Sequence, residues 1–166
     1  MKYIDIVLSD DDQLIEKLRA LKFSDIFILE NNIIKRVKDA KSFELNVYDK
    51  SDIEEAIRKS KVKSFILSQY SIILDKGLCK RLKEAGAFVI ADIKSLIKKE
   101  NFFDLYRNFL INIKRCNDFG VNCLFVTLAE NKDEVKSPIQ LLSFAKNFGY
   151  SDQNFGKSNE NLIKYL

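Results

Sequence analysis

Short runs of β-branched and aromatic residues alternate along this chain with segments whose apolar residues recur at helical spacing. Residues 3–8 alternate apolar and polar positions, as a strand does, and Leu14, Leu18 and Leu21 then repeat at helical spacing. The same alternation continues to residue 149. Strands that alternate with helices indicate βαβ units and a parallel sheet, which argues against all-helical and all-antiparallel folds.

The pattern predicts six strands, each followed by a helix. An α/β barrel of the TIM type needs eight such units. We therefore expect a compact or incomplete TIM-like (β/α) barrel that forms a single domain over residues 1–166. The predicted strands are Tyr3–Leu8, Asp25–Glu30, Phe43–Tyr48, Lys63–Leu67, Phe88–Ala91 and Val121–Thr127.

Local end signals place the predicted helices. Asp10–Asp12 offers N-caps for the first helix, while Ser137 and Pro138 fit the N-cap and first-turn positions of a late one. Gly86 and Gly120 fit the left-handed position that ends a helix. The other predicted helices are Asn32–Asp39, Ser51–Ser60, Leu74–Ala85, Phe102–Asp118 and Ser158–Leu166.

The composition excludes several classes of protein. The longest runs without a charged residue, 64–74 and 119–129, hold 11 residues each, whereas a membrane helix needs about 20 apolar residues. We see no signal or transit peptide at the N-terminus, which favours a cytoplasmic protein without a membrane partner.

The chain contains no histidine. That absence removes the Ser-His-Asp and Cys-His nucleophile pairs, imidazole general bases and nearly all catalytic zinc sites. Its three cysteines, Cys79, Cys116 and Cys123, contain no C-x-x-C spacing. We expect free, buried thiols in a reducing compartment.

The net charge of +4 lies in the middle of the chain. Residues 71–120 carry 10 basic and 6 acidic side chains, whereas the segments before and after are each neutral. A local basic excess can attract phosphate, but charge alone favours a lysine-rich solvated surface.

Two glycine-rich motifs that are typical of nucleotide-binding enzymes are absent from the sequence. Neither G-x-G-x-x-G nor G-x-x-x-x-G-K-[ST] occurs in the chain. Asp5, Asp92 and Glu130 come at or just after strands, where a carboxylate set could hold Mg²⁺, or where each acid could cap a helix or face solvent. Asp10–Asp12 fits the start of a helix better than a metal cluster.

Basic side chains recur where one rim of a barrel would bring them together. Lys76, Lys80 and Lys83 share a helix face with Arg81 beside them, and Arg107 lies on the long helix. Such a rim could bind a phosphodiester backbone, and Tyr70 and Tyr106 could stack on bases or pack in the fold. Three further lysines follow the fifth and sixth strands, namely Lys94, Lys132 and Lys136.

Residues 74–149 resemble protein component 3 of archaeal ribonuclease P, the counterpart of the eukaryotic thirty-kilodalton subunit. The order and spacing of the motifs agree with that family, although lysine stands at 76 and 80 where the family has histidine and arginine. The N-terminal half matches in layout alone. The motifs are LDKGLCKRL (74–82), FVIA (88–91), DIKSLI (92–97), YRNFL (106–110), AENK (129–132), VKSPIQL (135–141) and FG (148–149).

The resemblance implies a TIM-like fold and an RNA-binding role in the ribonucleoprotein that removes the 5′ leader of precursor tRNA. It implies that the RNA holds the catalytic Mg²⁺, that the protein binds no cofactor or metal and has no catalytic residue, and that it pairs with protein component 2, with a heterotetramer as one arrangement. The residues expected to contact RNA are Lys76, Lys80, Arg81, Lys94, Arg107, Lys132 and Lys136.

Two enzymatic alternatives stay open. One is a TIM-barrel enzyme acting on a small phosphorylated metabolite, although residues 129–136 lack the glycines of a usual phosphate grip. The other is a metal-dependent phosphoesterase, whose metal sites are usually rich in histidine.

Overall fold

The N-terminal strand β1 (Ile4–Val7) pairs in parallel with β2 (Asp25–Glu30), and helix α1 (Asp12–Ala20) connects the two strands. This computed structural model describes residues 1–30, 33–38, 42–44, 46–47, 65–66, 73–97 and 102–165. Asp11 is the N-cap of α1, because its carboxylate accepts a hydrogen bond of 3.0 Å from the Leu14 N–H. The prediction that the acidic run caps the first helix is therefore confirmed.

The segment after β2 is a strand, so the predicted helix Asn32–Asp39 is wrong. Strand β3 (Ile33–Arg36) runs antiparallel to β2, with Ile34 buried and its neighbours directed outward. An ion pair between Arg36 and Asp25 ties the two strands, with Arg36 Nε 2.8 Å from Asp25 Oδ1. Because the pairing partner is the preceding strand, a short apolar-basic segment becomes a β-hairpin arm rather than a helix.

Two more strand pairs lie in the N-terminal half of the chain. β4 (Ser42–Glu44) is antiparallel to β3, and β5 (Asn46–Val47) is parallel to β6 (Phe65–Ile66). Except for Ser42, β4 and β5 lie within the predicted strand Phe43–Tyr48. β6 lies within the predicted strand Lys63–Leu67. The predicted helix Ser51–Ser60 and Tyr70 lie outside the described residues.

The C-terminal half contains a third parallel pair and five helices among its described residues. Gly86, Gly120 and Gly149 follow three of the helices at φ of 67°, 68° and 78°. These are left-handed conformations that glycine adopts without strain, as predicted for the first two. The elements are α2 (Lys76–Glu84), β7 (Phe88–Asp92), α3 (Ile93–Ile97), α4 (Phe102–Phe119), β8 (Asn122–Val126), α5 (Pro138–Asn147) and α6 (Asp152–Tyr165).

The chain leaving β8 runs beside β1. Leu128 N–H donates to the Ile6 carbonyl at 3.0 Å, and Leu8 N–H donates to the Ala129 carbonyl at 2.8 Å. Strand β7 in turn pairs in parallel with β8. Two backbone hydrogen bonds therefore join the N-terminal segment to the segment that follows β8.

Alternate residues of these strands enter two separate cores. One core lies between the strands and the helices, where Val89, Cys123 and Phe125 pack against α2, α4, α5 and α6. The opposite faces form the second core, which Leu162 of α6 covers. Its strand residues are Ile4, Ile6, Phe27, Ile34, Phe88, Ile90, Leu124 and Val126.

The protein has a mixed α/β fold. The prediction that each strand is followed by a helix is wrong for β2, because the next described element is β3, its antiparallel partner. Within the described ranges the strands form three sheets of four, two and two strands and do not close into a barrel. In the same ranges, no helix combines the length and apolar character needed to cross a membrane.

Candidate nucleic-acid interface

Helix α2 presents a basic face to solvent. Its N-cap is Asp75, whose carboxylate accepts a 2.8 Å hydrogen bond from Leu78 N–H, and its buried side consists of Leu78, Cys79 and Leu82. The opposite side is exposed and carries four basic side chains against one acidic one, Glu84. As the periodicity predicts, the exposed basic residues Lys76, Lys80, Arg81 and Lys83 lie together on this helix.

Helix α4 runs beside α2 in the same direction. Near the start of α2, Asn112 Oδ1 accepts a 2.8 Å hydrogen bond from Leu74 N–H, and Arg115 donates to the Leu74 carbonyl. Near its end, a Cβ placed on Gly120 would lie 3.4 Å from Lys83 Nζ. Contacts at both ends fix the register, so the half-buried Arg115 serves the packing of the two helices.

This register carries the first two to three turns of α4 beyond the start of α2. Phe102 precedes Asn112 by ten residues, which at 1.5 Å per residue is about 15 Å. Arg107 lies on this extension and is exposed. Arg107 therefore adds one more exposed basic side chain on the helix that packs beside α2.

Two aromatic side chains accompany Arg107 on the extension. Phe103 is 85% exposed and Tyr106 is 37% exposed, and the Tyr106 ring meets Phe148 edge to face at 5.7 Å. Tyr106 is one of the base-stacking candidates predicted from sequence, whereas Phe103 is not. The sequence contains a signal for its exposure, because Phe103 falls outside the helical repeat of apolar residues that α4 buries.

Lys94 is held by carboxylates. Its ammonium lies 2.9 Å from Glu130 Oε1 and 2.8 Å from Glu134 Oε2, and its side chain is mostly buried. Burial lowers the pKa of Lys94, but the two carboxylates outweigh it and raise the pKa above its usual value. The positive charge of Lys94 is therefore neutralised by the carboxylates of Glu130 and Glu134.

The two lysines after β8 lie among acids. Lys132 Nζ donates to Gln13 Oε1 at 3.0 Å, and Lys136 is partly buried. Asp133 and Glu134 stand between them in the chain. The structure thus groups Lys76, Lys80, Arg81 and Arg107 on two adjacent helices, whereas Lys94, Lys132 and Lys136 belong to α3 and the acidic loop after β8.

The carboxylates at the strand ends do not assemble into a metal site. Asp5 is fully buried and bonds to Thr127, while Asp92 is buried and accepts a 2.8 Å hydrogen bond from Lys94 N–H. Burial raises the pKa of Asp5 to about 7, although hydrogen bonds from Thr127 oppose the shift. Among the described residues, no group of three or more acidic or cysteine side chains could hold a metal ion.

All three cysteines are free and buried, as predicted. Burial raises the pKa of the Cys79 thiol to about 12. A hydrogen bond with Cys123, together with burial, raises the pKa of Cys116. Such thiols are poor nucleophiles because the thiolate is scarce at neutral pH.

No protein-family model matches the chain, and no curated protein is significantly similar to it. The basic, aromatic-flanked surface of α2 and α4 is therefore the feature on which a functional interpretation rests.

Proposed function

We propose that this chain is an RNA-binding protein subunit of ribonuclease P, which assists the catalytic RNA in removing the 5′ leader of precursor tRNA. One observation carries the RNA-binding part, namely the exposed basic face of α2 and its continuation onto α4. Support for the specific complex comes from the sequence resemblance, whose residues 74–149 include both helices.

The basic face suits a phosphodiester backbone. Lys76, Lys80 and Lys83 are exposed and form no ion pair with any described residue, so no described carboxylate competes with phosphates for their charges. Lysines placed on a phosphate backbone release condensed counterions, which makes binding tight at low salt and weak at high salt. Phe103 and Tyr106 offer aromatic surface to bases on the part of α4 that extends beyond the start of α2.

The candidate residues contribute unequally to the contacts with RNA phosphates. Lys76, Lys80, Arg81 and Arg107 provide the main phosphate contacts. Lys94 contributes little, because Glu130 and Glu134 neutralise it. Lys132 and Lys136 make secondary contacts, since the acidic side chains of the loop after β8 repel phosphate.

We also propose that the fold is an incomplete TIM-like barrel. Three observations support this idea: the parallel pairs β1–β2 and β7–β8, the chain after β8 running beside β1, and a second buried core formed by the strand residues that face away from the first core. A barrel interior filled by alternate strand residues has that second core.

The remaining parts of the assembly follow from the resemblance. The protein partner is ribonuclease P protein component 2, the nucleic-acid partners are the ribonuclease P RNA and precursor tRNA, and the compartment is the cytoplasm. The Mg²⁺ ions belong to the RNA, and this chain supplies no catalytic group.

Reconstitution of precursor-tRNA cleavage tests the proposal. The ribonuclease P RNA and component 2 of the same organism are assayed at low Mg²⁺ with and without this chain. We expect efficient cleavage only when the chain is added, and none from the chain alone. Unchanged cleavage, together with no binding to the RNA at low salt, would refute the assignment.

A further inference from the structure

A groove of about 450 Å³ lies between α4 and the end of α5. Its floor is apolar and consists of Leu110, Ile111 and Phe148. Lys114 and Asp118 of α4 line one side, and Asn147 belongs to α5. The volume falls in the range of small-ligand sites, about 300–1,000 Å³.

Hydrogen bonds hold the two sides of the groove together. Asn117 of α4 donates through Nδ2 to the Gly149 carbonyl at 3.3 Å and accepts at Oδ1 from Asn154 Nδ2 at 2.8 Å. Gly149 turns the chain away from α5 at a φ of 78°, and a Cβ there would meet nothing within 4 Å. The groove is therefore formed before any ligand arrives.

The groove contains one cation and one anion that do not pair with each other. Lys114 and Asp118 are one helical turn apart, yet no ion pair joins them. Lys114 lies two turns after Arg107 on the exposed side of α4. A strand whose phosphates follow these two cations would pass the mouth of the groove.

We propose that the groove holds one unpaired base of the RNA strand bound along α4, and that it favours a base with an exocyclic amino group. This inference rests on the proposed function. The flat ring of a base covers the apolar floor, while Lys114 binds the adjoining phosphate. A paired base is excluded, since its edge and faces are already occupied in the duplex.

Asp118 sets the base preference. A carboxylate only accepts hydrogen bonds, so it accepts from the amino group of cytosine, adenine or guanine. Uracil presents a carbonyl oxygen where cytosine has the amino group, and two acceptors repel each other. Asp118 is exposed in the free protein, so it exchanges a hydrogen bond with water for one with the base.

Titration of the isotope-labelled full chain with short RNAs tests the inference by NMR. The probes are tetracytidylate, tetrauridylate and an RNA duplex in which the same four cytidines are paired. We expect tetracytidylate to shift the Asn117 side-chain amide and the Gly149 N–H, with at least about five-fold tighter binding than tetrauridylate, the lower end for a base-edge contact. The duplex should shift α2 signals and leave the groove signals in place.

A matched pair of variants isolates the role of Asp118. Asp118→Asn removes one negative charge but supplies an amide that both donates and accepts, so the preference for cytidine should disappear. Asp104→Asn removes the same charge from another exposed position of α4 and should keep the preference. Equal preference in the two variants would overturn the inference.

The outcomes separate this inference from the proposed function. Shifts on α2 without shifts in the groove refute the base-binding site and leave RNA binding intact. The same holds if component 2, rather than RNA, moves the groove signals, because a protein segment is then the occupant. Absence of any shift with every RNA refutes both.

Discussion

The carboxylate of Asp5 accepts hydrogen bonds from both the backbone N–H and the hydroxyl of Thr127, at 2.8 and 2.6 Å, although 122 positions separate the two residues. Asp5 is in β1, and Thr127 directly follows β8. Both are buried. This contact fastens the N-terminal strand to the C-terminal half beside the backbone bonds between the same segments.

The raised pKa of Asp5 predicts that it makes stability depend on pH. The pKa is about 7 in the fold and about 3.9 in an unfolded chain. The folded state therefore binds the proton more tightly, so the contribution of Asp5 to stability is greatest below about pH 4 and is lost as the pH rises to about 7. At about 1.4 kcal/mol per pKa unit, the loss is up to about 4 kcal/mol.

Asp5→Asn isolates this effect, because the amide is neutral at every pH and can still bond to Thr127. Urea unfolding at pH 4 and pH 8 should show the variant gaining stability relative to the wild type as the pH rises. A difference between the two proteins that stays constant from pH 4 to pH 8 would contradict the prediction.

Lys94→Met should destabilise the protein by about 1–2 kcal/mol, because the substitution leaves the carboxylates of Glu130 and Glu134 facing each other. The estimate allows for Glu130, whose side chain is 60% exposed and well solvated. Lys132→Met is the matched control and should change the unfolding free energy by less than about 0.5 kcal/mol. Equal stability of the two variants in urea would show that the Lys94 ion pairs contribute nothing.

Ser137→Ala should cost about 1 kcal/mol of stability. Ser137 caps α5 reciprocally with Gln140, since Ser137 Oγ accepts from Gln140 N–H at 3.3 Å and Gln140 Oε1 accepts from Ser137 N–H at 2.7 Å. Ser143→Ala, at an exposed position inside the same helix, serves as the control. Thermal unfolding should show the larger decrease for Ser137→Ala, and the reverse order would be inconsistent with the capping box.

The three thiols should resist modification in the folded protein. Burial and the raised pKa values of Cys79 and Cys116 keep the thiolate scarce at pH 8. An aromatic disulfide reagent should therefore label them only as fast as the protein opens, and label all three rapidly in denaturant. Labelling of the native protein within seconds would contradict their burial.

Local chemistry made some elements predictable from sequence. The start of α5 follows from Ser137 and Pro138, because capping involves residues within one turn. The basic face of α2 follows from helical spacing alone. By contrast, β3 was mistaken for a helix, since a four-residue strand has too few positions to define a period and depends on pairing with β2.

Contacts between distant segments could not be predicted. The sequence pattern predicts Lys94 as an RNA contact. No residue close to Lys94 in the sequence indicates that Glu130 and Glu134 are its partners. Helix α6 begins at Asp152, six residues before the predicted start at Ser158, because the polar first turns and Gly156 hide the apolar repeat. The ion pairs of Lys94 form only when the chain has folded.

The salt dependence of RNA binding tests the central claim most directly. Lys76, Lys80 and Arg81 are changed together to Gln, and the control changes Lys17, Arg19 and Lys22 of the α1 region, which are also exposed. We predict that only the α2 variant flattens the plot of log affinity against log salt, by about 0.7 for each lost contact and roughly 2 for three. A slope equal to that of the wild type in the folded α2 variant would show that this face does not bind RNA.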